Sequence, residues 1–183
     1  MNIPKPYCIN RESIKALVLG CDPTAFDKHG NLRKFEYVFD LGNDKRYFNG
    51  ILKNLQLVGV QINEIYVQNL VTEYQSKETS KNQEWNLLAS KSIPARKNEF
   101  DRIDGTSDIP VFLTSEVIYK VLLKRDCLKI KARDFYEGNA PIPVSATDNY
   151  LGRPLFPLYR HPYYKLELHE NYAKKVKSYF ANM

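Results

Sequence analysis

Four loops of this 183-residue chain carry side chains able to do chemistry. Asp22 stands in Gly20-Cys21-Asp22-Pro23, directly after the apolar run Ala16-Leu17-Val18-Leu19. Such a run reads as a short buried strand, with Gly20 and Pro23 as its terminator. That puts a carboxylate at the carboxyl end of a strand, where open α/β sheets bind their ligands. Asn69 closes a second apolar run and His161 follows a fourth, while Phe39 lies between the first two. A carboxylate stabilises a developing cation or directs a water, and an imidazole donates a hydrogen bond to a developing anion. An amide offers one donor and one acceptor side for reading a polar edge. An aromatic face stacks on a flat ring. Each residue also has a plainer reading taken singly. Asp-Pro opens turns, an Asn at a strand end caps a turn, a lone His is commonly a surface loop residue, and Phe is commonly core.

The elements that must bring these loops together follow from periodicity. Ile14 to Leu19, Ile65 to Leu70, Pro110 to Leu113 and Leu155 to Tyr159 read as four strands. Pro154 and Pro157 mark the fourth as an edge strand. Phe48, Ile51, Leu52 and Leu55 recur at helical spacing, with Gly59 just past the helix end. A second helix is expected from Glu84 to Lys91, capped by Ser80 or Asn82, interrupted at Pro94 and resumed from Glu99 to Ile103. A third runs from Ser115 to Leu123 with Thr114 as its N-cap. Tyr172, Val176, Tyr179 and Phe180 form the stripe of a final helix. The segment from Ile130 to Asn149 is poorly periodic and reads as a long loop, a lid or a binding surface. Strands alternating with helices imply β–α–β units in one three-layer α/β/α sandwich. Right-handed crossovers then gather the ends of all four strands, with Asp22, Asn69, Thr114 and His161, on one rim.

Composition narrows the partners. No apolar stretch is long enough to span a bilayer, and the start Met1-Asn2-Ile3-Pro4-Lys5-Pro6 has no signal-peptide core, so a cytoplasmic protein is expected. Cys8, Cys21 and Cys127 are odd in number and widely separated, which excludes a full disulfide framework and a four-thiolate cluster. His29, His161 and His169 match no metal-ligand spacing, so neither metal nor other cofactor is expected. The net charge of +6 is compatible with a polyanionic partner and with a merely solvated surface.

In order and placement these motifs resemble the uracil-DNA glycosylase superfamily. Gly20-Cys21-Asp22-Pro23-Thr24 is similar to that family's G-Q-D-P-Y, and Val67-Gln68-Asn69-Leu70-Val71-Thr72 to its L-N-T-x-L-T. His161-Pro162-Tyr163-Tyr164 is similar to its H-P-S-P, Phe39 to its stacking Phe, and Pro110-Val111-Phe112-Leu113 to its third strand. The resemblance covers most of the chain. It implies one domain over 1–183, a parallel sheet of order 2-1-3-4, a monomer, and a hydrolase that excises uracil or a related base from DNA. Asp22 would then handle the water and the sugar cation, and His161 would stabilise the departing base. Asn69 and Phe39 would recognise the base, with Cys21 and Thr24 beside it. Flipping a base from a duplex needs grip on the phosphates. Arg153, Arg160 and Lys165 are the candidates for that, and Tyr163 or Tyr164 for the wedge. Thr24 stands where the family has the Tyr that excludes thymine, and the leucine wedge has no counterpart. Two rival readings are a binding module of this fold without the chemistry and an α/β enzyme acting on free nucleosides or nucleotides.

Overall fold

The computed structural model describes residues 3–44, 48–124 and 130–183. Cys127, like Met1 and Asn2, lies outside the described residues. Four parallel strands form one sheet in the order β2-β1-β3-β4. They are β1 (Ala16–Gly20), β2 (Ile65–Asn69), β3 (Val111–Leu113) and β4 (Leu155–Pro157). Every strand residue is buried, which is why these strands read as unbroken apolar runs rather than as alternation. The strand β1 begins two residues later than the apolar pattern suggests. Lys15 there donates its N–H to Glu64 and forms an ion pair with that side chain at 2.6 Å.

Register assigns the two faces of the sheet. Val18, Val67 and Phe112 lie abreast, and Phe156 pairs with Phe112. Phe112 and Phe156 meet Phe180 of α5 (Glu170–Ala181), at ring-centroid distances of 5.5 and 6.1 Å. The alternate residues face the other way, where Tyr66 meets Phe100 of α2 (Trp85–Ile103) edge to face. This is the expected three-layer arrangement. The first helix, α1 (Asn49–Leu57), buries Ile51 and Leu55 and stops at Gly59, whose φ of 86° is the left-handed conformation that ends helices.

Four local expectations are corrected. Pro94 does not interrupt α2, which runs continuously through it. An interior proline costs about 3 kcal/mol, but Trp85, Ala89, Ile93, Arg96 and Phe100 form a single buried stripe on either side of it, and that burial outweighs the loss. Neither Ser80 nor Asn82 is the N-cap of α2. That position is Glu84, and the Asn82 side chain instead accepts the Glu84 N–H at 3.1 Å. In α3 (Glu116–Leu122) the cap is Ser115, whose hydroxyl accepts the Val117 N–H; Thr114 instead donates its hydroxyl to the Leu19 carbonyl across the sheet. The segment from 130 to 149 is not wholly a loop: α4 (Ala132–Tyr136) and a 3₁₀ turn at Ala146–Asp148 lie within it.

Candidate functional site

The strand ends open into a cleft of about 1080 Å³, much larger than a single pyrimidine. Cys21, Asp22 and Thr24 line it from the β1 loop, and Phe39 from the loop that follows. Arg160, His161, Tyr163 and Tyr164 line it from the β4 loop, and Arg133 and Glu137 from α4 and its end. The topology therefore gathers eight expected site residues around one space.

Asp22 is held by three donors. Its Oδ1 accepts the Thr24 N–H at 2.8 Å, the bond of an Asp turn, so the plain turn-former reading is part of its role. Its Oδ2 accepts from the Thr79 hydroxyl and, at 2.9 Å, from the Trp85 indole N–H. A carboxylate has about four acceptor positions, so one direction remains for a ligand or a water. Thr79 and Trp85 are separated from Asp22 by 57 and 63 residues. No local spacing links them, and sequence reasoning missed both. The one available signal was that Trp85 is the chain's single tryptophan, placed at a helix start.

Asn69 does not line the cleft. It closes β2 beside Gly20, its partner in register, and is almost fully buried. Its amide oxygen has no hydrogen-bond partner among the described residues. A Cβ on Gly20 would lie 2.6 Å from Phe39 Cζ and closer still to Asn69 Oδ1, so the amide and the ring converge over the bare glycine. Phe39 and Asp40 both have left-handed backbone, with φ of 58° and 57°. Such strain costs about 1–3 kcal/mol per residue and persists where surrounding contacts impose it. Here the Asp40 N–H donates to Tyr37, the Asp40 carbonyl accepts from Asn43 and Asp44, and Phe48 packs on the Phe39 ring at 5.1 Å. The Arg160 guanidinium lies over the same ring at 5.5 Å.

His161 is exposed and begins a 3₁₀ turn (Pro162–Tyr164). Its Nδ1 accepts the Tyr163 N–H at 3.3 Å, which in the neutral ring places the proton on Nε2. The Tyr163 ring stacks on the imidazole, 10° from parallel and 5.2 Å away, and is 76% exposed. Tyr164 packs against Tyr136 at 4.6 Å and is half-buried, so Tyr163 is the one tyrosine of the pair free to reach a ligand with its whole face. Burial pushes the Cys21 thiol up to about 12, against a lowering hydrogen bond with Ser115, so it is no nucleophile at neutral pH.

Two expected phosphate contacts fall elsewhere. Arg153 is fully buried, with Nη2 3.0 Å from Asp101 and Nη1 2.8 Å from Asp104. A guanidinium held so by two carboxylates is a core ion pair and cannot reach a phosphate. Lys165 is exposed but does not line the cleft. The charge around the cleft is mixed: Glu78, Glu116 and Glu137 line it as well as Arg133, which is itself paired with Glu137. Among the described residues no cluster of three or more His, Cys, Asp or Glu is placed to hold a metal, and no helix is long and apolar enough to cross a membrane. No family model matches the chain, and no curated protein does.

Proposed function

We propose that this chain is a DNA glycosylase that removes uracil or a related damaged base by hydrolysing its N-glycosidic bond. The observation that carries the reading is the joint placement of Asp22, Phe39 and His161 around one cleft, with the Asn69 amide directly behind Phe39. In this reaction the bond from C1′ of the sugar to the base breaks and its electron pair leaves with the base. The sugar becomes cationic, as in other glycosyl transfers. Asp22 faces that cation, and its unused acceptor position takes a proton from the attacking water. The His161 Nε2–H donates to the oxygen on which the base gathers negative charge. Asn69 presents its amide to the O4 and N3–H edge of uracil. Cytosine has the reversed pattern there, and each unpaired group costs about 1–3 kcal/mol. Binding requires Phe39 to turn aside from Asn69, and the base then lies against the ring face that Arg160 now covers. Displaced, Arg160 reaches the flanking phosphates, and Tyr163 fills the gap in the stack.

A second reading is hydrolysis of free nucleosides by the same groups. It is favoured by the carboxylates Glu78, Glu116 and Glu137 along the cleft and by the withdrawal of Arg153, which leave little net positive charge for a polyanion. One experiment separates the readings. Purified protein is incubated with a uracil-containing oligonucleotide, with a panel of lesion-containing oligonucleotides, and with free deoxyuridine. Abasic sites in an oligonucleotide, abolished or slowed about a hundredfold or more by Asp22→Asn, support the glycosylase. Turnover of the nucleoside alone supports the second reading, and inertness on every substrate refutes both.

A further inference from the structure

The groups that hold the site converge on α2, the longest helix of the fold. Its first residue, Trp85, donates to Asp22. Farther along, Glu99 lies on the face turned toward β2, and the bonds it accepts lead to Asn69. The Asn69 N–H finds no strand partner on the outer edge of the sheet. The N-terminal segment pairs with β2 at Tyr7 and Val67, two residues short of it. The Gln68 side chain takes its place, with Oε1 accepting the Asn69 N–H at 2.8 Å. Gln68 Nε2 donates to Glu99 Oε1 at 3.2 Å.

The two ends of this amide agree chemically. A carboxylate only accepts, so Glu99 requires the NH2 group to face it. The oxygen is thereby turned to the Asn69 N–H. Without Glu99 only the Asn69 N–H would select the orientation of Gln68, because the flipped amide sets donor against donor there. Glu99 is itself fixed by the Arg96 guanidinium and by the Tyr66 hydroxyl. Burial, and then the bond to Glu99, holds the Tyr66 phenol above its ordinary value, so it remains a donor. Gln68, Tyr66 and Arg96 are all nearly inaccessible, at 4, 4 and 7% exposure, while the Glu99 side chain that joins them is 27% exposed and open to water on one side.

The geometry points to Glu99 as a positioning residue that sets the place of the Asn69 amide through Gln68. This rests on the glycosylase reading only for its effect on base choice. A chain of bonds of this kind locates a recognition group by fixing its backbone, while the side chain projects from the opposite face of the strand toward Phe39.

The test uses three variants of the full chain. Gln68→Met removes the clamp, and Arg96→Met with Glu99→Leu removes the ion pair as a unit, which avoids stranding a buried charge. Val176→Ala opens a small cavity on the buried face of α5, away from this network, and serves as the control for lost stability. Two quantities are read: hydrogen exchange of the Asn69 backbone amide by NMR, and the ratio of excision rates on uracil and cytosine oligonucleotides. In the first two variants exchange is expected to quicken about tenfold or more, and the uracil preference to fall about tenfold. Val176→Ala is expected to lower the melting temperature and leave both readouts near wild type. A folded Arg96→Met/Glu99→Leu protein with unchanged Asn69 exchange overturns the inference. So does a Val176→Ala protein that loses preference as much as the others, because the effect then follows stability. Should the wild type excise no base, the glycosylase reading fails by itself, and the exchange of Asn69 still decides the positioning role.

Discussion

Gly20→Ala is the smallest change that probes the meeting of Phe39 and Asn69. The added methyl would sit 2.6 and 2.9 Å from Phe39 Cζ and Cε2, and closer to Asn69 Oδ1. Unstrained contacts between carbons lie near 3.5–4.0 Å, so one neighbour must move by about an ångström. Neither moves freely. Asn69 is locked in a parallel ladder with β1, and Phe39 is braced by Phe48 on a left-handed backbone. Overpacking of this kind costs about 1–3 kcal/mol, and reduced freedom of the unfolded chain returns about 0.4–1 kcal/mol. A net loss of about 1–2 kcal/mol corresponds, for a chain of this size, to a fall in Tm of about 2–8 °C. Gly50→Ala is the matched control. Its Cβ meets nothing within 4 Å, and it lies within α1, where alanine is the better residue. Thermal unfolding of both variants, followed by excision of uracil from an oligonucleotide, is the assay. The Gly20 variant is expected to melt lower and to lose about a hundredfold in rate, the usual penalty for misplacing a recognition group by an ångström. The control is expected to melt at or slightly above wild type. A Gly20→Ala protein with wild-type Tm refutes the close packing of Phe39 and Asn69 over this glycine.

Three further outcomes follow from the same contacts. Trp85→Phe keeps an aromatic ring but deletes the indole donor to Asp22 and leaves a gap at a buried position, and urea titration is expected to show a loss of at least about 1.5–3 kcal/mol, the range for a bond to a charged group, with the cost of the gap added. Burial pushes the Asp104 carboxyl up, but bonds from the Thr106 hydroxyl, the Ile109 N–H and Arg153 outweigh it and hold the group well below the ordinary carboxylate range. Its stabilisation is therefore full above the unfolded value of about 4 and is lost as pH falls through the lower folded value. Denaturant midpoints measured from pH 6 to pH 2 are expected to fall more steeply in wild type than in Asp104→Asn. At pH 8 the Cys21 thiol, with its titration moved to about 12, is expected to alkylate roughly a thousandfold more slowly than an ordinary cysteine. Peptide mapping after iodoacetamide treatment reads this directly, and rapid modification would contradict the raised titration of this thiol.

The sheet was legible because each strand is buried on both faces. Complete burial demands a continuous apolar run, and a run such as Ala16–Leu19 or Ile65–Val67 stands out in one dimension. The helix α1 was equally plain, since Phe48, Ile51 and Leu55 share one face of a single short segment. Pro94 misled because local propensity favours a break there, whereas the stripe from Trp85 to Phe100 that overrides it gains its energy from the sheet it packs on. Arg153 misled for a related reason. A basic residue near His161 reads as a solvent-facing cation, and only the fold brings Asp101 and Asp104 to within bonding distance of it.

The residues by themselves thus determined which side chains stand at strand ends, because strand burial and turn chemistry are local and leave a one-dimensional pattern. They also determined that the strand ends leading to Asp22, Asn69, Thr114 and His161 share one rim, through the handedness of β–α–β connections. Tertiary structure alone decided how those groups are held. Thr79 and Trp85 reach Asp22 from nearly sixty residues away and beyond, Glu99 reaches Asn69 through Gln68, and Phe39 closes over Gly20. A hydrogen bond needs alignment within a few tenths of an ångström, and the separation of two residues along a chain carries no information at that scale.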